Sequence, residues 1–162
     1  MSISDITTKI IEFSNGNIHD INHLLKVWAF AKTIAESEKT DNKLQEVIEV
    51  AALIHDIACP LCREKYGNTN GKNQELEGGI LARKFLSNTN YSKDFIERVV
   101  YLVEHHHTFT NIGSIDYQIL IEADYIVNAY ESNYSKENIE NFSKKFFKTT
   151  SGLNLLKSIY KI

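Results

Sequence analysis

The stretch Val50-Ala51-Ala52-Leu53-Ile54-His55-Asp56-Ile57 decides how this chain is read. Five consecutive apolar residues leave no polar side, so a helix carrying them is surrounded by other helices and not laid on a surface. The helix starts after Asp41, a residue of the type that caps an N-terminus, and its end carries an imidazole and a carboxylate. Burying an unpaired carboxylate costs several kcal/mol. No Lys or Arg stands within a helical turn of Asp56, so its counter-charge must come from elsewhere in the fold.

Working outward, the same period recurs on both sides. Apolar residues at helical spacing predict segments over about 5–13, 20–38, 74–86, 93–105, 116–131, 136–148 and 152–160, which with the central helix makes eight. Asn15-Gly16-Asn17 ends the first, and Ser92 and Ser135 are caps for two later ones. Residues 59–73 hold the only Pro and two Gly and are expected as a long loop, with a second loop at about 108–114. One Pro and 7 Gly in 162 residues are too few for the turns of a sandwich or barrel, so the fold class is all-α, in one domain over 1–162.

Composition narrows the function classes. With 43% hydrophobic and 24% charged residues the chain is globular, and a net charge of -3 without a basic run gives no sign of a nucleic-acid or anionic-membrane partner. The N-terminus has no basic stretch followed by an apolar one, and no apolar run approaches the ~18 residues of a membrane span. A cytoplasmic location is expected. Cys59 and Cys62 are too close in sequence to staple distant parts of a domain, and without a second CxxC they make a poor thiolate zinc site.

Ionisable groups interrupt apolar helices at three places: His23 in the second helix, His55-Asp56 at the end of the third, and Asp124 in the sixth. Neither Asp has a basic neighbour on its own helix. A divalent cation (Mn, Fe, Ni, Co, Zn or Mg) supplies the missing charge, because neutral imidazole and carboxylate suit such ions. Three helices then contribute the ligands His23, His55, Asp56 and Asp124 to one point, with positions left open for water and substrate.

This ordered set resembles the metal signature of the HD superfamily of metal-dependent phosphohydrolases. The stretch Ala51 to Ile57 is similar to that family's central helix, and Glu122-Ala123-Asp124 with Val127-Asn128 to its closing Asp helix; the resemblance spans about residues 18–130. It implies an HD-domain-like helical bundle and metal-dependent hydrolysis of a phosphate ester of a nucleotide or related small molecule. Two rivals stand beside it: a regulatory module that binds metal and nucleotide without turnover, and a di-iron redox enzyme on the same fold.

Departures from the family pattern shape the remaining expectations. A position that carries a further histidine in two-metal members falls in Gln74-Glu75-Leu76-Glu77-Gly78, and Cys59 stands where some nucleotidases carry a catalytic Glu. Asp56 is expected to act in catalysis, with Glu77 or His106 handling the proton. Glu75 or Glu77 is an alternative oxygen ligand. Lys72 and His107, with Arg63 and Lys65, are expected to contact phosphate, while Phe142, Phe146 and Phe147 are expected as packing. One firmly bound metal is expected, and a weaker second would draw on Glu75 or Glu77 with His106 or His107, bridged by Asp56.

Overall fold

The computed structural model describes residues 1–162 and contains nine α-helices and no strand. They are α1 (Ile3–Phe13), α2 (Ile18–Ser37), α3 (Asn42–Ile54), α4 (Cys59–Tyr66), α5 (Gly71–Leu86), α6 (Lys93–His105), α7 (Ile115–Glu131), α8 (Lys136–Phe146) and α9 (Thr150–Tyr160). Side chains cap most of them: Ser2 and Asp5 form a reciprocal capping box on α1, while Asp41, Ser92 and Ser135 accept from backbone N–H groups at the starts of α3, α6 and α8. Asn15 and Gly16 end α1 with positive φ angles of 47° and 76°.

One expected loop is a helix. α4 runs through Cys59-Pro60-Leu61-Cys62, because Pro60 falls in the first turn, where its missing N–H has no partner to lose. Gly67 then closes α4 in the left-handed conformation (φ 68°), donating its N–H to the Arg63 carbonyl. Proline and glycine, read as marks of a loop, are here the start and stop of a short helix. Cys59 and Cys62 fall three residues apart on α4, both buried and both free.

α2, α3 and α7 form the middle of the bundle, each packed on the other two. α5 and α6 make an antiparallel pair whose α6 side meets α3, and α1 and α9 cover the flanks. The core draws on every helix except α4 and includes Val50 to Ile54, all 0% exposed, as their unbroken apolar run requires. Two buried carboxylates outside the later site tie elements together. Asp116 receives two 2.7 Å hydrogen bonds from the Arg98 guanidinium, joining α7 to α6. Glu122, 0% exposed, accepts from Gln118 Nε2 (2.7 Å), the Lys148 N–H (2.7 Å), the Thr149 N–H (2.9 Å) and the Thr149 hydroxyl, which seats the start of α9 on α7.

Candidate metal centre

The central packing brings His23 of α2, His55 and Asp56 at the end of α3, and Asp124 of α7 to one point. His23 Nε2 lies 3.2 Å from His55 Nε2, 3.2 Å from Asp124 Oδ1 and 3.4 Å from Asp56 Oδ2. His55 Nε2 lies 3.4 Å from Asp124 Oδ1 and 3.6 Å from Asp56 Oδ1. Several of these separations are too long for hydrogen bonds. They match the ~3–3.5 Å expected between neighbouring ligands of one ion at bond lengths of about 2.0–2.2 Å.

The opposite edge of each ring fixes its direction. His55 Nδ1 donates to the Ala52 carbonyl (2.8 Å), His106 Nδ1 to the Val103 carbonyl (2.7 Å), and His23 Nδ1 to Glu131 Oε2 (2.7 Å). With each Nδ1 held by these acceptors, each Nε2 is aimed at the centre and would offer its lone pair to a cation there once its proton is displaced, the arrangement that metal-ligating histidines adopt. The donor set therefore fits a divalent cation in atom type, spacing and tautomer.

The charges of the metal-free chain tell the same story. Burial pushes the His23 imidazole down, but Asp124 and Asp56 beside it outweigh that and raise it to about 10. Burial pushes Asp56 and Asp124 up, and the surrounding histidines more than reverse this, holding both carboxyls well below the usual range. His106 is raised, its burial being outweighed by Asp56 at 3.2 Å. Protons on imidazole thus supply the positive charge that a metal would bring.

A second group of donors adjoins the first: Asp56, His106 and His107 present ligand atoms within 4.8 Å of one another. His107 Nε2 is buried without a hydrogen-bond partner, and so is Gln74 Oε1; both side chains line the same cavity. Burial, and then His106 next to it, lowers His107 to about 4, so its imidazole is neutral at pH 7. Gly71 makes room for this ring, since a Cβ there would lie 2.8 Å from His107 Cβ.

Other expected residues are placed elsewhere. Glu77 is turned to α4, where Lys65 Nζ (2.5 Å) and the Tyr66 hydroxyl (2.6 Å) hold its carboxylate, so it is absent from both donor groups. Glu75 accepts from the His107 N–H (3.1 Å) and the Thr108 hydroxyl (2.9 Å) and steadies the end of α6. The second donor group therefore uses His106 and His107 without either glutamate. Lys72 is exposed and does not line the cavity. Arg63 does line it, with its guanidinium on both oxygens of Asp20. Cys59 also lines it, but burial and the nearby Asp56 push its thiol up, away from a thiolate ligand.

Glu131 and Lys26 escaped the sequence reading, although a signal was present. Glu131 follows Asp124 by seven residues, two turns along the same face of α7, and Lys26 follows His23 by three; the pair closes at 2.9 Å. Phe142, expected only in packing, also forms part of the cavity wall.

The HD domain family model matches residues 20–132, which include all four residues of the first donor group. Among solved structures, the crystal structure of a predicted HD superfamily hydrolase from an uncultured Thermotogales bacterium superposes with a TM-score of 0.72 at 24% identity, covering 98% of this chain and 84% of that one. No curated protein matches. The family match over more than half of the chain, with the His, His-Asp and Asp residues in order inside it and brought together by the fold, makes this chain a member of the HD domain family.

Proposed function

We propose that the protein is a metal-dependent phosphohydrolase that cleaves a phosphate ester of a nucleotide or related small molecule. The observation that carries this reading is the convergence of His23, His55, Asp56 and Asp124 at spacings of 3.2–3.6 Å beside an open cavity. A divalent cation held by these residues supplies Lewis acidity to a phosphoryl oxygen and lowers the pKa of water toward neutrality. The chain does the rest. Asp56 and Asp124 fix the charge balance, the Ala52 carbonyl and Glu131 keep the His55 and His23 rings from rotating, and His107 Nε2, neutral and unpartnered, can accept a hydrogen bond from the attacking water and orient it. Glu77 has no part in this scheme, because Lys65 and Tyr66 hold it.

The test is metal analysis of the purified chain, chelation, and reconstitution with Mn or Co in an assay on phosphomonoesters. Turnover restored by metal, and lost with metal affinity in Asp56→Ala and Asp124→Ala while helical circular dichroism persists, is the expected result. Absence of any divalent binding below millimolar concentration sinks the proposal. The second donor group around Asp56 favours one further reading, a di-iron redox centre. Two irons per chain with a mixed-valence resonance and no phosphate release would establish that alternative.

A further inference from the structure

The cavity at the donor groups has a volume of about 560 Å³, within the ~300–1,000 Å³ of small-molecule sites. Besides the metal donors it is lined by four aromatic side chains, Phe109, Tyr125, Tyr134 and Phe142. These form a continuous series of rings. Tyr125 and Phe142 stack at 3.7 Å with 4° between their planes, Phe109 meets Phe142 edge-on at 5.4 Å, and Tyr134 lies tilted at 5.7 Å from Tyr125. Tyr125 is buried, whereas Phe109 and Tyr134 remain 37% and 38% exposed, so their rings keep surface that packing has not used. Tyr134 and Phe142 come from beyond the family match, which ends at residue 132.

The charge lining the cavity is equally specific. Arg63 is the sole Lys or Arg there and is already engaged by Asp20, while Asp20, Asp56, Asp124 and Glu131 bring four carboxylates. Lys65 is bound to Glu77, and Lys72 stands outside. One divalent cation would offset Asp56 and Asp124, leaving no free side-chain cation for a polyphosphate tail.

Building on the phosphohydrolase reading, we propose that the site selects esters bearing a single phosphate whose alcohol portion carries a flat aromatic ring, seated against Phe109, Tyr134 and the Tyr125/Phe142 stack. A ring laid on aromatic side chains gains affinity that an aliphatic group of similar size does not, and the shortage of cations penalises every phosphate after the first. Specificity then lies in Phe109 of the 108–114 loop, Tyr134 of the turn between α7 and α8, and the stack of Tyr125 of α7 on Phe142 of α8, at the edge of the metal-binding core.

The experiment uses the full chain reconstituted with Mn. Hydrolysis and calorimetric affinity are compared for adenosine monophosphate, ribose 5-phosphate and adenosine triphosphate. Affinity alone is compared for the non-hydrolysable benzylphosphonate and butylphosphonate. Expected are a preference of about tenfold or more for adenosine monophosphate over both other esters and for the benzyl over the butyl compound, with Phe109→Ala and Tyr134→Ala each reducing these aromatic preferences. Equal handling of aromatic and aliphatic esters, or a preference for the triphosphate, overturns the proposal while leaving the phosphohydrolase reading intact. If no ester is hydrolysed, that reading falls, and the benzylphosphonate and monophosphate preferences in binding still decide the seat: their presence supports it and their absence ends it.

Discussion

Glu131 shows how far a residue can act from the centre it serves. Its carboxylate accepts from His23 Nδ1 on one oxygen and from Lys26 Nζ on the other, so it sets both the tautomer and the rotation of one ligand. Outer partners of this kind typically contribute 10–100-fold to metal affinity, and Glu131→Gln should weaken binding by about that factor. The metal-free melting midpoint should move little, because the Gln amide oxygen can still accept from His23 Nδ1 and the ion pair lost with Lys26 is half-exposed on the lysine side. His23 gives a second prediction, in pH. Its imidazole is raised from 6.5 to about 10 in the metal-free chain, so its contribution to stability is complete below pH 6.5 and is lost as the pH climbs toward 10. Metal must displace that proton, so apparent affinity should rise over the same window by up to about tenfold per pH unit for each proton released. Melting of the metal-free chain and calorimetric titration from pH 6.5 to 9 should therefore show opposite trends; an affinity independent of pH would contradict the assignment of His23 as a ligand.

Elements are held in place here by buried polar groups as much as by apolar faces. α9 sits on α7 through Glu122, whose oxygens satisfy two backbone N–H groups and a hydroxyl at the turn before α9, as well as the Gln118 amide on α7 itself. Glu122→Ala leaves those donors unpaired in the interior and should cost about 3 kcal/mol or more, with hydrogen exchange accelerating first in residues 149–160. Gly152→Ala tests the same joint from the other side. A Cβ at Gly152 would fall on Glu122 Oε2, with Thr149 Oγ1 2.6 Å away, and overpacking so constrained a point should cost about 1–3 kcal/mol. α4 illustrates the limit of local signals, since Pro60 and Gly67 punctuate a helix as readily as a loop and the difference lies in their separation. Its placement also decided Glu77: the helix brings Lys65 and Tyr66 to that carboxylate and keeps it from the metal donors.

For the whole molecule, the metal centre joins the three helices that form the middle of the bundle. An ion bound only by the folded chain stabilises it by mass action, about 2.7 kcal/mol at a hundredfold excess over its Kd. At this chain length that corresponds to a rise in Tm of about 5–10 °C. Scanning calorimetry with Mn and then with excess chelator should show the rise and its reversal, and Asp124→Ala should remove it. A Tm indifferent to every divalent ion would mean that the buried His and Asp residues serve the fold alone.

The sequence by itself determined the all-α class, eight of the nine helices and the four residues of the first donor group, because each of these follows from local period or from a polar group set in an apolar run. Val50 to Ile54 had to be central, and His55, buried, and Asp56, half-buried at the cavity, follow directly after it. What only the tertiary structure decided are relations between residues distant along the chain. Glu131 pairs with a ring 108 residues away, His106 meets Asp56 across 50, and Glu77 is taken by Lys65 and Tyr66. Phe142 likewise changed from a packing residue to part of a cavity wall when α8 closed over α7. Helical period specifies which face of an element is apolar, but a side chain's partner depends on how the helices pack, which no single segment encodes.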